Sequence, residues 1–169
     1  DVAVLTHTPH PPDIHRTVSL AARTHGLHVP VRWIQRVHWR APAWARYAVQ
    51  SFFPPGRRDD WPRGLLIDDD NLLEPAVAGL VEADVRVPED VYLIGHCNFS
   101  NPVHTVLPVR RLGFDDQRIL RLCLERVHAL RLGEAVPEMT YVPPLFEDEL
   151  ESRAPPAPFT HAAWDRIRS

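Results

Sequence analysis

Short apolar runs alternate along the chain with longer segments in which apolar positions recur every three or four residues. The first pattern predicts buried strands and the second amphipathic helices. Strands are expected over residues 2–6, 29–37, 64–67, 91–94 and 139–142, and helices over 14–25, 42–53, 72–83 and 113–132. This alternation is that of an α/β fold, a parallel sheet covered by helices. The last helix is the clearest: Asp115 and Asp116 favour its N-terminal end, Leu120, Cys123, Val127 and Leu130 form one apolar stripe, and Gly133 can close it. Turn residues mark loops at 9–12 and 53–60. From residue 151 onward Pro155, Pro156 and Pro158 predict an extended tail, with Phe159 and Trp164 able to dock on a surface.

In open parallel α/β sheets, ligands bind beyond the carboxyl ends of the strands, where loops converge on the first turns of helices. Four segments follow a predicted strand on that side: residues 7–16, His38-Trp39, Asp68-Asp69-Asp70 and His96-Cys97-Asn98.

Composition narrows the chemistry. A chain of 169 residues with a formal charge of only -3 can bury one ordinary core. All the basic charge is arginine, spread among 22 acidic residues, so no basic patch exists for nucleic acid. The absence of lysine excludes a phosphate-cradling loop ending in Lys, a Schiff-base lysine and a kinase-type lysine. Cys97 and Cys123 are too few for a disulfide framework, and no leader or membrane-length apolar run is visible, so a cytoplasmic setting is expected. Asp1 leads straight into an apolar run without a methionine, so the chain is expected to be cut from something longer.

Several residues admit two readings. The carboxylates of Asp68, Asp69 and Asp70 could collect magnesium, or one could cap the helix starting near Leu72 while another is solvated. The segment also resembles the start of a phosphoacceptor receiver domain, but no aspartate ends the strand at 92–94 and no lysine completes that site. His7, His10 and His15 could bind zinc or nickel, or be ordinary loop histidines. Cys97 beside His96 invites a nucleophile reading, although neighbours on a strand point apart, which favours a small, partly buried thiol. Trp39 could stack on a sugar or base, or pack in the core.

Residues 80–98, LVEADVRVPEDVYLIGHCN, are similar nearly residue for residue to a helix, turn and strand of the LacI/GalR sensing domains. Other pieces match in order. Arg16-x-x-Ser19-Leu20 resembles the family's Arg-x-x-Gly-Phe, Asp69-Asp70 its Asn-Asp, and Leu112-Gly113 the Leu-Gly that opens the last long helix. His38-Trp39 falls where the family often has an acidic residue and then an effector-contacting aromatic. The resemblance covers about residues 2–149. It implies the second lobe of a type I periplasmic-binding-protein-like domain, a three-layer sandwich with a parallel sheet. Residues 1–108 would form that lobe, 109–150 the crossover helix and returning strand, and 151–169 the tail.

By the same resemblance, the function implied is that of a non-enzymatic sensor of a small molecule, a sugar or related polyol, in a bacterial transcription regulator. Arg16 and Asp69 would supply polar contacts, Trp39 would stack, and Cys97 would lie against the ligand. No cofactor, catalytic residue, metal or membrane is expected; a homodimer is, and DNA would be contacted only through a separate N-terminal domain. The chain departs from the family at Cys97, where many members have a hydrogen-bonding aspartate, at Pro75 in place of a helix glycine, and at Leu107 in place of a glutamine before Pro108. A transport-type solute-binding protein and a metal-dependent hydrolase using Asp68, Asp69 and Asp70 with His7 or His10 are the competing readings.

Overall fold

A computed structural model describes residues 1–8 and 14–151. It divides into two compact units, Asp1–Leu112 and Gly113–Ser169. The first contains β1 (Val2–Thr8), α1 (Ile14–Thr24), β2 (Ile34–His38), α2 (Ala45–Gln50), β3 (Gly64–Ile67), α3 (Leu73–Glu82) and β4 (Tyr92–Asn98). These strands lie in the order β2-β1-β3-β4, every pair parallel. Beyond β4 the sheet continues into β5 (Arg110–Phe114), where the first unit ends.

Alternation along the strands decides which face each side chain serves. Ala3, Leu5, Leu65, Ile67 and Leu93 join one core with Ala45 and Val49 of α2 and with Leu73, Ala76, Val77 and Leu80 of α3. Phe52, Phe53 and Trp61 extend it, and the Trp61 indole N–H donates to Pro54 O at 3.0 Å, so the ring is buried without losing its hydrogen bond. Right-handed crossovers from β1 to β2 on one side and from β2 to β3 on the other put α1 on the face opposite α2 and α3. Helices thus cover both faces of a parallel sheet, the three-layer α/β arrangement that the alternating pattern predicts.

α2 and α3 meet closely because Gly79 has no side chain: a Cβ there would lie 2.4 Å from the Arg46 carbonyl oxygen. Arg46 Nε and Gln50 Nε2 both donate to Glu82 Oε2, at 2.6 and 2.8 Å, tying the two helices at the solvent edge. Pro75 is tolerated in α3 because it sits in the first turn, where a backbone N–H has no intrahelical acceptor to lose.

The turn before β4 is fastened by charge. Asp90 Oδ2 accepts from Arg86 N, Arg86 Nε and Arg58 Nη1 at 3.0, 2.9 and 3.1 Å, and Oδ1 accepts from Arg86 Nη2 at 2.6 Å. The hydrogen bonds from Arg86 hold the Asp90 carboxyl far below the usual carboxylate range.

The second unit contains α4 (Asp116–Arg131), β6 (Leu145–Phe146) and α5 (Glu147–Glu151). Asp115 caps α4 by accepting from Arg118 N at 2.9 Å. Gly133, at φ +74, ends the helix: its N–H donates to Leu130 O at 3.1 Å and that of Glu134 to Ala129 O at 3.0 Å. The apolar stripe faces solvent, with Leu120, Val127 and Leu130 between 52% and 61% exposed.

Three expected boundaries move. β2 starts at Ile34 because Trp33 N–H closes a 3-10 turn on Pro30 O at 2.9 Å. Gly113 and Phe114 belong to β5 rather than to the last helix, which Asp115 starts. Residues 139–142 form no strand: Met139 and Tyr141 are 84% and 81% exposed, between Pro137 and the Pro143-Pro144 pair, which offer no N–H to a ladder. The expected tail, with Phe159 and Trp164, and the loop at 9–12 lie outside the described residues.

Candidate functional site

From β1 the chain winds outward to β2, then returns across β1 to β3, so the winding direction reverses between β1 and β3. Connections diverge at such a point and leave a crevice outside the carboxyl ends of the strands. Thr6 and His7 flank it from β1, and Asp68 and Asp69 from the turn after β3.

Register assembles a polar row there. Leu5 pairs with Ile67 and Ile67 with Gly95, so the next positions, Thr6, Asp68 and His96, stand side by side on one face. Thr6 is fully buried, and its hydroxyl donates to Asp68 Oδ2 at 2.6 Å, a length typical of a charged acceptor. His96 Nδ1 is buried without a hydrogen-bond partner among the described residues.

Asp69 works in two directions. Its Oδ1 accepts from Asn71 N and Asn71 Nδ2, both at 2.9 Å, capping the 3-10 turn that leads into α3. Its Oδ2 lies 3.1 Å from His7 Nδ1. One oxygen therefore builds the helix start while the other faces the His7 imidazole across the crevice.

Trp39 stands just past β2 and is 53% exposed, so it is no core residue. The Arg40 guanidinium lies 4.7 Å from its ring centre and the His38 ring 6.0 Å away at 19°. The Arg40 N–H donates to His38 Nδ1 at 3.1 Å, fixing the turn. Cys97 is buried and shares its strand face with Leu93 and Gly95, while His96 points to the other face. The two neighbours cannot act as a nucleophile and its base from that arrangement. Arg16 is exposed in the first turn of α1.

Of the histidines expected near one another, His7 meets Asp69 and His15 meets Ser19, while His10 lies outside the described residues. Among the described residues no three His, Cys, Asp or Glu side chains gather in a way that could hold a metal ion. Nor is any helix among them long and apolar enough to cross a membrane. Of the expected residues Arg16, Trp39, Asp69 and Cys97, Asp69 lies at the crevice, where Thr6 and His7 join it without having been assigned to the ligand from the sequence. The local signal for Thr6 was only that it ends an apolar run at a position whose alternation points inward.

A parallel α/β lobe with its polar groups at the topological reversal has the architecture in which such folds bind small molecules. The chain belongs to the periplasmic binding protein-like domain family, whose pattern matches residues 1–146. Several solved structures share the fold. The Escherichia coli transcriptional repressor ascG aligns with TM-score 0.68 and 20% identity over 86% of this chain and 53% of its own. A LacI family transcriptional regulator from Bifidobacterium animalis subsp. lactis aligns with TM-score 0.67 and 19% identity over 86% and 52%. A sugar-binding transcriptional regulator of the LacI family from Escherichia coli, complexed with phosphate, aligns with TM-score 0.66 and 20% identity over 86% and 52%. The chain spans about half the length of each of these. No curated protein matches it.

Proposed function

We propose that this chain is an effector-sensing lobe of a bacterial transcription regulator of the LacI/GalR type, binding a sugar-like or polyol ligand at the carboxyl edge of β1 to β4 without catalysing a reaction. The observation that carries the reading is the convergence of Thr6, His7, Asp68, Asp69 and His96 at the winding reversal, with an exposed tryptophan beside it. Hydroxyl-rich ligands need paired donors and acceptors and an aromatic face for the C–H surface of a ring. Asp69 and Arg16 are assigned the polar contacts, Trp39 the stacking contact, and Cys97 a place in the wall. Two of the three structural neighbours named are LacI-family regulators by description, and one of them is described as sugar-binding.

In this reading the protein acts in the cytoplasm as a homodimer, and DNA is contacted by a separate helix-turn-helix domain. Ligand binding shifts a pre-existing equilibrium between conformations of different DNA affinity. A thermal-shift screen against sugars, polyols and nucleobases tests it. One compound should raise the melting temperature in a dose-dependent way, and Trp39→Ala should weaken that compound about tenfold, the scale of one ring contact. A folded protein that responds to none of them overturns the reading.

A further inference from the structure

α1 carries no acidic residue, and His15, Ser19 and Arg23 recur along it at four-residue spacing, on one face. They line a cavity of about 160 Å³ together with His28, the opposite wall being residues 29–31. Among the described residues no carboxylate lines it, and the Oδ1 of Asp1 lies 3.1 Å from His28 Nδ1. That leaves the second nitrogen of His28 uncommitted to Asp1. Among the described residues Arg23 makes no ion pair.

The Ser19 hydroxyl is held weakly. It lies 3.4 Å from His15 Nε2 and donates to Val29 O at 3.5 Å, both at the long limit of hydrogen bonding. Two contacts of that length cost little to exchange, so hydroxyl and imidazole can re-aim at a better acceptor. The cavity has room for about five waters, the heavy-atom count of a tetrahedral oxyanion. A guanidinium, two imidazoles and a hydroxyl are donors suited to such a group, and Arg can meet it with two parallel N–H bonds.

We propose that this cavity, lined by His15, Ser19, Arg23 and His28, is a binding site for a phosphate-sized oxyanion, either the free anion or the terminal group of a phosphomonoester. It is distinct from the crevice between β1 and β3 and does not depend on which effector binds there.

Isothermal titration with inorganic phosphate, in chloride buffer of matched ionic strength, tests the site, with glycerol phosphate as a second arm. Saturable one-to-one binding of phosphate is expected. Arg23→Gln and His15→Gln should each weaken it about tenfold, the loss of one charge-assisted hydrogen bond. Arg57→Gln, which removes the same charge from an arginine outside the cavity, should leave it unchanged. Circular dichroism verifies folding, and Ser19→Ala replaces His15→Gln if that variant does not fold. Binding of both ligands assigns the site to a terminal phosphate, and binding of phosphate alone assigns it to the free anion; either supports the proposal. No saturable binding of either, or an equal loss in Arg57→Gln, overturns it.

Discussion

Gly79 shows how much one missing Cβ can decide. Its α-carbon faces the Arg46 carbonyl so closely that an added methyl would sit 2.4 Å from backbone oxygen, and backbone cannot swing aside as a side chain can. Gly79→Ala should therefore destabilise the protein by about 2 kcal/mol despite the better helix propensity of alanine, read as a lowered urea midpoint. An unchanged midpoint would mean that α2 and α3 are free to separate. Asp69 illustrates a different dependence. The sequence offered magnesium binding or helix capping as alternatives for the aspartates at 68–70, and the folded Asp69 carboxylate divides itself, one oxygen on Asn71 and the other toward His7. Cys97 was legible as a small, partly buried thiol, and β4, running on to Asn98 past the expected end at Ile94, buries it beside Leu93 and Gly95. The pairing of His7 with Asp69 was not, since it joins the ends of two strands far apart in sequence.

Among the elements, the turn before β4 is fastened by charge. Asp90 takes four hydrogen bonds from two arginines, and its folded pKa lies below its unfolded one. The sign follows from linkage: its stabilisation is fully present above the unfolded value, about 3.9, and is lost as pH falls from there toward the depressed folded value. Asp90→Asn should cost about 1–2 kcal/mol at pH 7, discounted because the arginines are exposed, and should flatten the stability profile below about pH 4. Urea unfolding of both proteins at pH 7 and pH 3 measures this, and parallel profiles would remove Asp90 as the cause. The same turn lies in the segment whose resemblance was strongest, so here pattern and physics agree. They part at β5 and at residues 139–142. β5 was missed because two arginines and a glycine occupy its five positions, and 139–142 was taken as a strand because its apolar residues alternate although prolines border it.

For the molecule as a whole, α4 carries the consequence that follows from its exposed side. Leu120, Val127 and Leu130 lie in a row open to water, a cost that burial against a second copy would remove. The homodimer of the proposed function should therefore appear in light scattering, and Leu120→Glu with Leu130→Glu should shift it toward monomer. A clean monomer of the unaltered protein contradicts the dimer. The sequence by itself determined the alternation of β1 to β4 with α1 to α3, the face of each of those strands that enters the core, and therefore the edge at which parallel α/β folds bind ligands, because these follow from neighbours a few positions apart. Only the tertiary structure decided that Thr6 meets Asp68 across 62 positions, that His7 meets Asp69, and that Gly79 admits the Arg46 backbone. Those contacts depend on strand order and register, which are set by the packing of the whole sheet and leave no periodic trace along the chain.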